Sequence, residues 1–217
     1  MSWIKPDKLQ TKAEEIGNAT THAMGALLSL AAITLLIVFS ATQQDGFKLF
    51  SGIVFGGTLV LMYVSSTIYH SMQNPRLKHF FRIMDHASIY LLIAGSYTPF
   101  MLVTLRGPWG WTMFSIIWGL ALVGVIFKLF FVHKFEVLST VIYLLMGWMS
   151  LIVVKPIYQS LPAAGLECIV AGGVCYTVGV IFFAWERLKY SHVLWHLFVL
   201  AGSIFHFFAV LFYVVIE

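Results

Sequence analysis

Charged residues are scarce in this sequence: Asp, Glu, Lys and Arg together make up 10% of its 217 residues, whereas hydrophobic residues make up 60%. A soluble domain carries roughly 25% charged residues and uses them to cover its surface. Because the chain has too few charges to form such a surface, a soluble globular class is excluded. The mean hydropathy of +0.90 agrees with this and indicates a chain that lies largely within a lipid bilayer.

Cysteine is nearly absent as well, with only Cys168 and Cys175 in the chain. The two residues are seven positions apart on one predicted helix, about 10 Å along its axis, which is too far for a disulfide between them. A disulfide framework is therefore excluded. We interpret both side chains as small apolar packing residues rather than as a redox pair.

Long apolar runs, by contrast, fill the sequence. Seven stretches free of Asp, Glu, Lys and Arg are each 18 residues or longer, and about 20 predominantly apolar residues span the hydrocarbon core as a helix. Backbone polar groups must be paired within lipid, and the alternation typical of a membrane barrel is absent from the sequence. We therefore predict an all-α membrane protein, a seven-transmembrane helix bundle that forms a single domain over residues 1–217. The predicted spans are approximately residues 20–41, 48–71, 82–104, 109–130, 137–157, 167–185 and 191–215.

Basic residues are distributed unevenly between the predicted loops. With the N-terminus in the cytoplasm, ten of the thirteen Lys and Arg residues flank the spans on the cytoplasmic side and three on the outer side. Because cytoplasmic loops carry the excess of Lys and Arg, we predict a cytoplasmic N-terminus and a C-terminus outside. The same flanking residues account for the pI near 9.1, so no nucleic-acid partner is expected. The ten are Lys5, Lys8, Lys12, Arg76, Lys78, Arg82, Lys128, Lys134, Arg187 and Lys189; the three are Lys48, Arg106 and Lys155.

Four polar groups lie within or at the margins of the predicted spans, where ionisable residues are costly and indicate function by default. The first group follows i, i+3, i+7 spacing on one face of span 1. The predicted topology places all four groups near the cytoplasmic face. They are Glu15, Asn18 and His22 in span 1, Ser66 and His70 at the end of span 2, Asp85 at the start of span 3, and His192 and His196 at the start of span 7.

The histidines among these residues have the spacing of a metal site. His192 and His196 are four residues apart, and such a pair can bind one metal ion from a single face of a helix. A third histidine, for which we choose His70, leaves the fourth tetrahedral position to water, the usual arrangement of catalytic zinc. Asp85 could hold or deprotonate that water, and Ser66 could hydrogen-bond the water or a developing oxyanion.

Each of these assignments has a structural alternative. The three histidines could form hydrogen bonds between helices instead of binding a metal. Asp85 could form an ion pair with Arg82, which lies one turn earlier on the same helix. The group of Glu15, Asn18 and His22 could either line the site or cap and lock span 1.

The motifs resemble those of the bacterial hemolysin III branch of the progestin and adipoQ receptor (PAQR) family. That family belongs to a superfamily that includes the adiponectin receptors and the alkaline ceramidases. The resemblance covers essentially the whole chain. The family's E-x-x-N-x-x-[ST]-H element appears at 15–22, its S-x-x-x-H element at 66–70, its aspartate region at 84–99 and its closing H-x-x-x-H element at 192–196.

The resemblance implies a fold, a metal and a location. The family fold is a seven-helix bundle with a zinc ion near the cytoplasm. By resemblance the ligands are His70, His192 and His196, and Asp85 reaches the metal through water. The resemblance further implies a multi-pass protein of the bacterial inner (cytoplasmic) membrane.

Two classes of function remain open. The first is a zinc-dependent, ceramidase-like hydrolase of lipid amides or esters, in which Asp85 and Ser66 are catalytic and a ceramide-like or acyl membrane lipid is the substrate. The alternative is a non-enzymatic protein with a structural zinc, either a lipid-responsive membrane regulator or a cytolytic (haemolytic) protein. Ion transport has little support, because Asp85 is the only acidic residue placed to relay protons.

Overall fold

The computed structural model describes residues 10–132, 134–185 and 187–217. Over these residues the protein is all-helical without any strand, and seven of its helices are long and apolar enough to cross a membrane. The predicted seven-helix fold class is therefore confirmed. The helices are α1 (Lys12–Thr42), α2 (Gly46–Ser71), α3 (Pro75–Thr104), α4 (Pro108–Phe131), α5 (Glu136–Ser160), α6 (Ala163–Ala184) and α7 (Ser191–Val215).

A side-chain cap fixes where α1 begins. The Thr11 hydroxyl accepts a hydrogen bond from the backbone N–H of Glu14 at 3.2 Å, and the Glu14 carboxylate accepts one from the backbone N–H of Thr11 at 2.9 Å. This reciprocal capping box satisfies two backbone donors that the first helical turn leaves unpaired. The helix therefore starts at Lys12, ahead of residue 20 where the apolar span was predicted to begin, and includes the polar residues of its first turns.

Short connections make successive helices antiparallel neighbours. The Asp45 carboxylate caps α2 by accepting from the backbone N–H of Phe47 at 2.8 Å. The Asn74 side chain caps α3 in the same way, and Pro75 occupies the first turn of that helix, where a missing backbone N–H costs nothing. We call the end of the bundle at which α1 begins the proximal end, and the opposite end the distal end. Helices α3, α5 and α7 also begin at the proximal end, and α2, α4 and α6 end there.

Packing closes the helices into a bundle around α3. Helix α1 packs against α2, α2 against α3, α3 against α4, and α6 against α7, while α7 returns to pack against α1. In the most apolar window of α3, 72% of the residues are buried, compared with 11% in α6. Helix α3 is thus the central element, and the proximal ends of α1, α2, α3 and α7 lie near one another.

Helix α5 is interrupted halfway along its length. Residues Met149–Val153 form a 3-10 segment, which leaves backbone groups of the surrounding α-helix without their usual partners. The Tyr97 hydroxyl of α3 lies 2.9 Å from the carbonyl oxygen of Met146 and 2.6 Å from that of Gly147, and it accepts from the backbone N–H of Ser150 at 2.8 Å. A single side chain of the central helix therefore stabilises the break.

The basic residues follow the helix topology. The described members of the ten-residue set predicted to be cytoplasmic lie on helix ends or turns at the proximal end, and Lys48, Arg106 and Lys155 lie at the distal end. Lys5 and Lys8, which were counted in that prediction, lie outside the described residues. Which end faces the cytoplasm stays a prediction from this charge bias.

Candidate metal centre

Three histidines from two distant parts of the chain meet at the proximal end of the bundle. His70 lies in the last turn of α2, and His192 and His196 lie in the first two turns of α7. One ring nitrogen of each residue lies within 4.8 Å of the ring nitrogens of the other two. The ring centroids are 5.2 Å apart for His70 and His192, and 5.0 Å apart for His70 and His196. This group could hold a metal ion, and the cluster predicted from the sequence is therefore present.

The contacts of His70 leave one of its nitrogens available for a metal. Its Nδ1 lies 2.7 Å from Oε2 of Glu15, whose other carboxylate oxygen accepts from Nζ of Lys78 at 2.5 Å. Its Nε2 is buried and has no hydrogen-bond partner among the described residues. A carboxylate that holds one nitrogen of an imidazole and leaves the other to a metal is the usual support of a histidine ligand. The chemistry of His70 therefore fits a metal ligand.

His196 is held in a comparable way by backbone and hydroxyl groups of α1. Its Nδ1 lies 3.3 Å from the carbonyl oxygen of Asn18 and 3.4 Å from the hydroxyl of Thr21. The ring is almost completely buried. Because Nδ1 faces these groups of α1, Nε2 is the nitrogen left for a metal.

Asn18 and His22 surround the histidine group without belonging to it. The His22 ring stacks on the His196 ring with a centroid distance of 3.5 Å and an interplanar angle of 12°. The rings of His22 and Tyr63 also pack edge to face, with a centroid distance of 5.0 Å. The Asn18 amide nitrogen lies 3.5 Å from Nδ1 of His70. The polar face predicted on α1 thus lines the histidine cluster, with Glu15 on His70 and His22 on His196.

Asp85 and Ser66 lie near the histidines and are both buried. Asp85 is in the third turn of α3 and is 8% exposed, and Ser66, one turn before His70 on α2, is fully buried. The Ser66 hydroxyl lies beside the Asp85 carboxylate, and no other residue in the described part of the chain forms a hydrogen bond with it. Arg82, the alternative partner considered for Asp85, forms an ion pair with Glu136 of α5 at 2.7 Å.

An apolar cavity of about 230 Å³ extends from this site into the bundle between α3, α5, α6 and α7. Several polar and charged side chains line its proximal part, and predominantly apolar side chains, with a few polar ones such as Ser96, Thr177 and His206, line the rest towards the distal end. Polar groups concentrated at one end of an otherwise apolar cavity are typical of a site for a small ligand with an apolar tail. The polar lining includes His22, Asp85, His86, Lys128, His192 and His196.

Sequence reasoning missed the position of one side chain in this region. Lys128 was interpreted as one more basic flank of a span, yet its side chain is fully buried and lines the cavity. His206, by contrast, is ten residues beyond His196, and its sequence position predicts that it is too deep for the metal group and lies between helices. It lines the cavity deeper in α7, beside Gly172, and packs edge-on against the Tyr176 ring of α6. A lysine in the last turn of an apolar helix looks the same in sequence whether it points outward or inward, so no local signal distinguished Lys128.

The fold and the site together define a multi-pass membrane protein with three histidines able to hold a metal ion at one end of the bundle. The family model described as Haemolysin-III related matches residues 10–207. The chain belongs to that family.

Relatives of this chain match it over nearly its whole length. It is 49% identical over 201 residues to Hemolysin-3 of Bacillus cereus, covering 93% of this chain and 92% of that protein. It is 48% identical over 205 residues to the Hemolysin-3 homolog of Bacillus subtilis (strain 168), covering 94% and 96%. A more distant relative, the monocyte to macrophage differentiation factor of Homo sapiens, is 29% identical over 203 residues, covering 91% and 83%.

Proposed function

We propose that this protein is a zinc-dependent hydrolase of lipid amide or ester bonds in the bacterial inner (cytoplasmic) membrane, with its proximal end in the cytoplasm. The observation that carries this proposal is the histidine cluster beside buried Asp85 at one end of an apolar cavity. The positive-inside bias supports the orientation. The similarity to Hemolysin-3 of Bacillus cereus supports a bacterial membrane protein.

The donor set fits zinc in a catalytic rather than a closed structural site. Three imidazoles make up the group that the described residues provide, and three protein ligands with one open position are the arrangement of catalytic zinc, whereas structural sites use four. A zinc ion held by His70, His192 and His196 would supply Lewis acidity to a carbonyl group and promote ionisation of water. Glu15 would fix the orientation of the His70 ring through the 2.7 Å contact with Nδ1.

Two further side chains of the site have the chemistry that hydrolysis requires. The Asp85 carboxylate lines the cavity beside the histidines and would accept a proton from the attacking water, as a general base does. The Ser66 hydroxyl, which lies beside Asp85, would donate a hydrogen bond to the carbonyl oxygen as negative charge develops on it. The leaving amine or alcohol would then take its proton from Asp85.

The cavity favours a lipid as the substrate. Its walls beyond the histidines are predominantly apolar, and it runs along α3 from Asp85 to Met101. An acyl chain would occupy these walls and place its carbonyl group at the polar end, near the histidines. A ceramide-like or other acyl lipid has this division between a polar, cleavable end and an apolar chain.

Metal analysis and lipid hydrolysis on matched variants test the proposal. Purified protein should contain zinc and release fatty acid from at least one acyl amide or ester in a broad lipid panel. His70→Ala should lose the zinc, whereas His79→Ala, which changes an exposed histidine at the same end of the bundle, should retain it. Asp85→Asn should keep zinc and lose fatty-acid release. Zinc-loaded protein that hydrolyses no lipid in the panel, or release that survives Asp85→Asn, would contradict the hydrolase proposal.

The name of the relatives favours one alternative, a cytolytic protein in which the metal is structural. Hemolysin-3 of Bacillus cereus is named for lysis, and a metal that ties α2 to α7 would stabilise the proximal end of a bundle. Liposomes that contain the purified protein distinguish the two functions. Leakage that persists in the His192→Ala, His196→Ala double variant would support a metal-independent cytolytic activity, and absence of leakage together with fatty-acid release would support the hydrolase.

A further inference from the structure

Lys128 is a buried cation that the proposed hydrolysis does not use. It lies in the last turn of α4, its side chain has no exposed surface, and it lines the cavity that also contains Asp85 and His192. Its Nζ makes no hydrogen bond to any residue in the ranges that the structure describes. An ammonium group buried without a hydrogen-bonding partner is strongly unfavourable, so its position in a cavity wall calls for a ligand.

No carboxylate in the described part of the chain forms a hydrogen bond with the Lys128 ammonium. The charged groups that act on its ammonium are Glu136 and Arg82. The Glu136 carboxylate already accepts from the Arg82 guanidinium at 2.7 Å, and its side chain is 45% exposed. The Lys128 ammonium therefore shares this corner of the bundle with a carboxylate that another cation already engages. A buried positive charge of this kind is stabilised by an anion.

The ammonium and the histidine cluster border the same polar end of the cavity. His86, on α3, lines the cavity between them and is within electrostatic range of both Lys128 and His192. Serine and threonine of the first turns of α5, Ser139 and Thr140, also line this part of the cavity. A ligand whose apolar chain lies in the cavity can therefore reach the histidines and Lys128 with one polar end.

We propose that Lys128 binds an acidic group, a phosphate or a carboxylate, on the lipid that occupies the cavity. The proposal rests on the proposed function for the position of the cleavable bond, and it narrows the substrate class to acyl lipids that carry a negative charge. The ammonium would form a charge-assisted hydrogen bond to the acidic group. Neutral lipids with the same chain would leave the buried charge unpaired and would bind less tightly.

Binding of two lipids that differ in one phosphate group tests this assignment. The full chain in a neutral detergent is titrated with oleoyl lysophosphatidate, with monoolein and with inorganic phosphate alone, and binding is measured by native mass spectrometry. We expect lysophosphatidate to bind at least about tenfold more tightly than monoolein, which corresponds to one hydrogen bond to a charged group. Inorganic phosphate should bind far more weakly, because it lacks the chain that fills the cavity. Phosphate that binds as tightly as the lysolipid would overturn the lipid assignment.

Variants of two lysines at the same end of the bundle provide the control. Lys128→Met should bind the two lipids equally, Lys128→Arg should keep the preference, and Lys134→Met, which changes an exposed lysine beyond the end of α4, should behave as the unchanged protein. Equal affinities of the unchanged protein for the two lipids would overturn the proposal even if Lys128→Met does not fold. A preference that persists in folded Lys128→Met would overturn it as well.

The same titrations in metal-stripped protein separate this proposal from the hydrolase. Because Lys128 is not a metal ligand, the preference for the acidic lipid should persist after treatment with a chelator. A preference that disappears with the metal would assign the anion to the metal and overturn the role of Lys128. Protein that lacks zinc or hydrolyses nothing, yet keeps the lysine-dependent preference, would refute the hydrolase and support the acidic-lipid site.

Discussion

Replacing Glu15 by Gln removes the negative charge that contacts His70 and keeps the size of the side chain. The Oε2 to Nδ1 distance of 2.7 Å is that of a charge-assisted hydrogen bond. A hydrogen bond to a charged group contributes about 1.5–3 kcal/mol and one between neutral groups about 0.5–1.5 kcal/mol. Because the Gln carbonyl still accepts from Nδ1, the change should weaken the hydrogen bond between residue 15 and His70 by about 1–1.5 kcal/mol. Zinc affinity should therefore fall about tenfold.

Removing the acceptor altogether should have a larger effect. Glu15→Ala leaves the His70 Nδ1 without its carboxylate partner, and loss of such a partner lowers metal affinity by about 10- to 100-fold. His70→Ala deletes a ligand and should lower the zinc affinity more than either Glu15 variant. The expected order of zinc affinity is the unchanged protein, then Glu15→Gln, then Glu15→Ala, then His70→Ala.

Competition between the purified protein and a zinc indicator dye measures these affinities. Glu167→Gln is the matched control, because it removes an exposed carboxylate near the distal end of the bundle and should leave the affinity unchanged. If both Glu15 variants bind zinc as tightly as the unchanged protein, the contact between Glu15 and His70 does not support a metal ligand, and the reasoning is refuted.

Three further perturbations follow from the site and the packing. Chelation of the metal should lower the thermal unfolding temperature, and added zinc should restore it. At a free zinc concentration 100 times the Kd, binding should raise the free energy of unfolding by about 2.7 kcal/mol; a melt unaffected by the chelator would argue against a bound ion. Asp85→Asn should reduce fatty-acid release by about 100-fold or more at unchanged zinc content, and an equal loss of zinc would instead make Asp85 a support of the metal. Gly25→Ala should destabilise the protein by about 1–3 kcal/mol, because an added Cβ would overlap the Tyr63 ring, whereas Gly57→Ala meets open space and should be neutral; similar thermal melts of the two variants would count against the packing of α1 on α2.

The histidine cluster could be predicted from the sequence because its signals are local. His192 and His196 are one helical turn apart, and a ligand pair on one helix face needs only the helix geometry. The seven helices were predictable for a similar reason, since the length of an apolar run decides whether it spans a bilayer. The choice of His70 as the third member depended on the predicted topology, which placed the end of α2 beside the start of α7.

The remaining features depend on how helices cross and could not be predicted from spacing. Glu15 could have lined the site or capped a helix, and only the approach of α1 to α2 brings it to His70. The break in α5 depends on the Tyr97 hydroxyl of α3, more than 40 residues away along the chain. Lys128 followed the pattern of a basic flank, but the rotation of α4 about its axis turns it inward to the cavity.

Zinc X-ray absorption on the purified full chain tests the central claim most directly. We expect about one zinc per chain, with three imidazole nitrogens at about 2.0–2.1 Å and one water oxygen as the fourth ligand, and loss of this signal in His192→Ala. Protein that binds no zinc, or a zinc whose spectrum is unchanged in His192→Ala, would contradict the assignment of His70, His192 and His196 as the metal site.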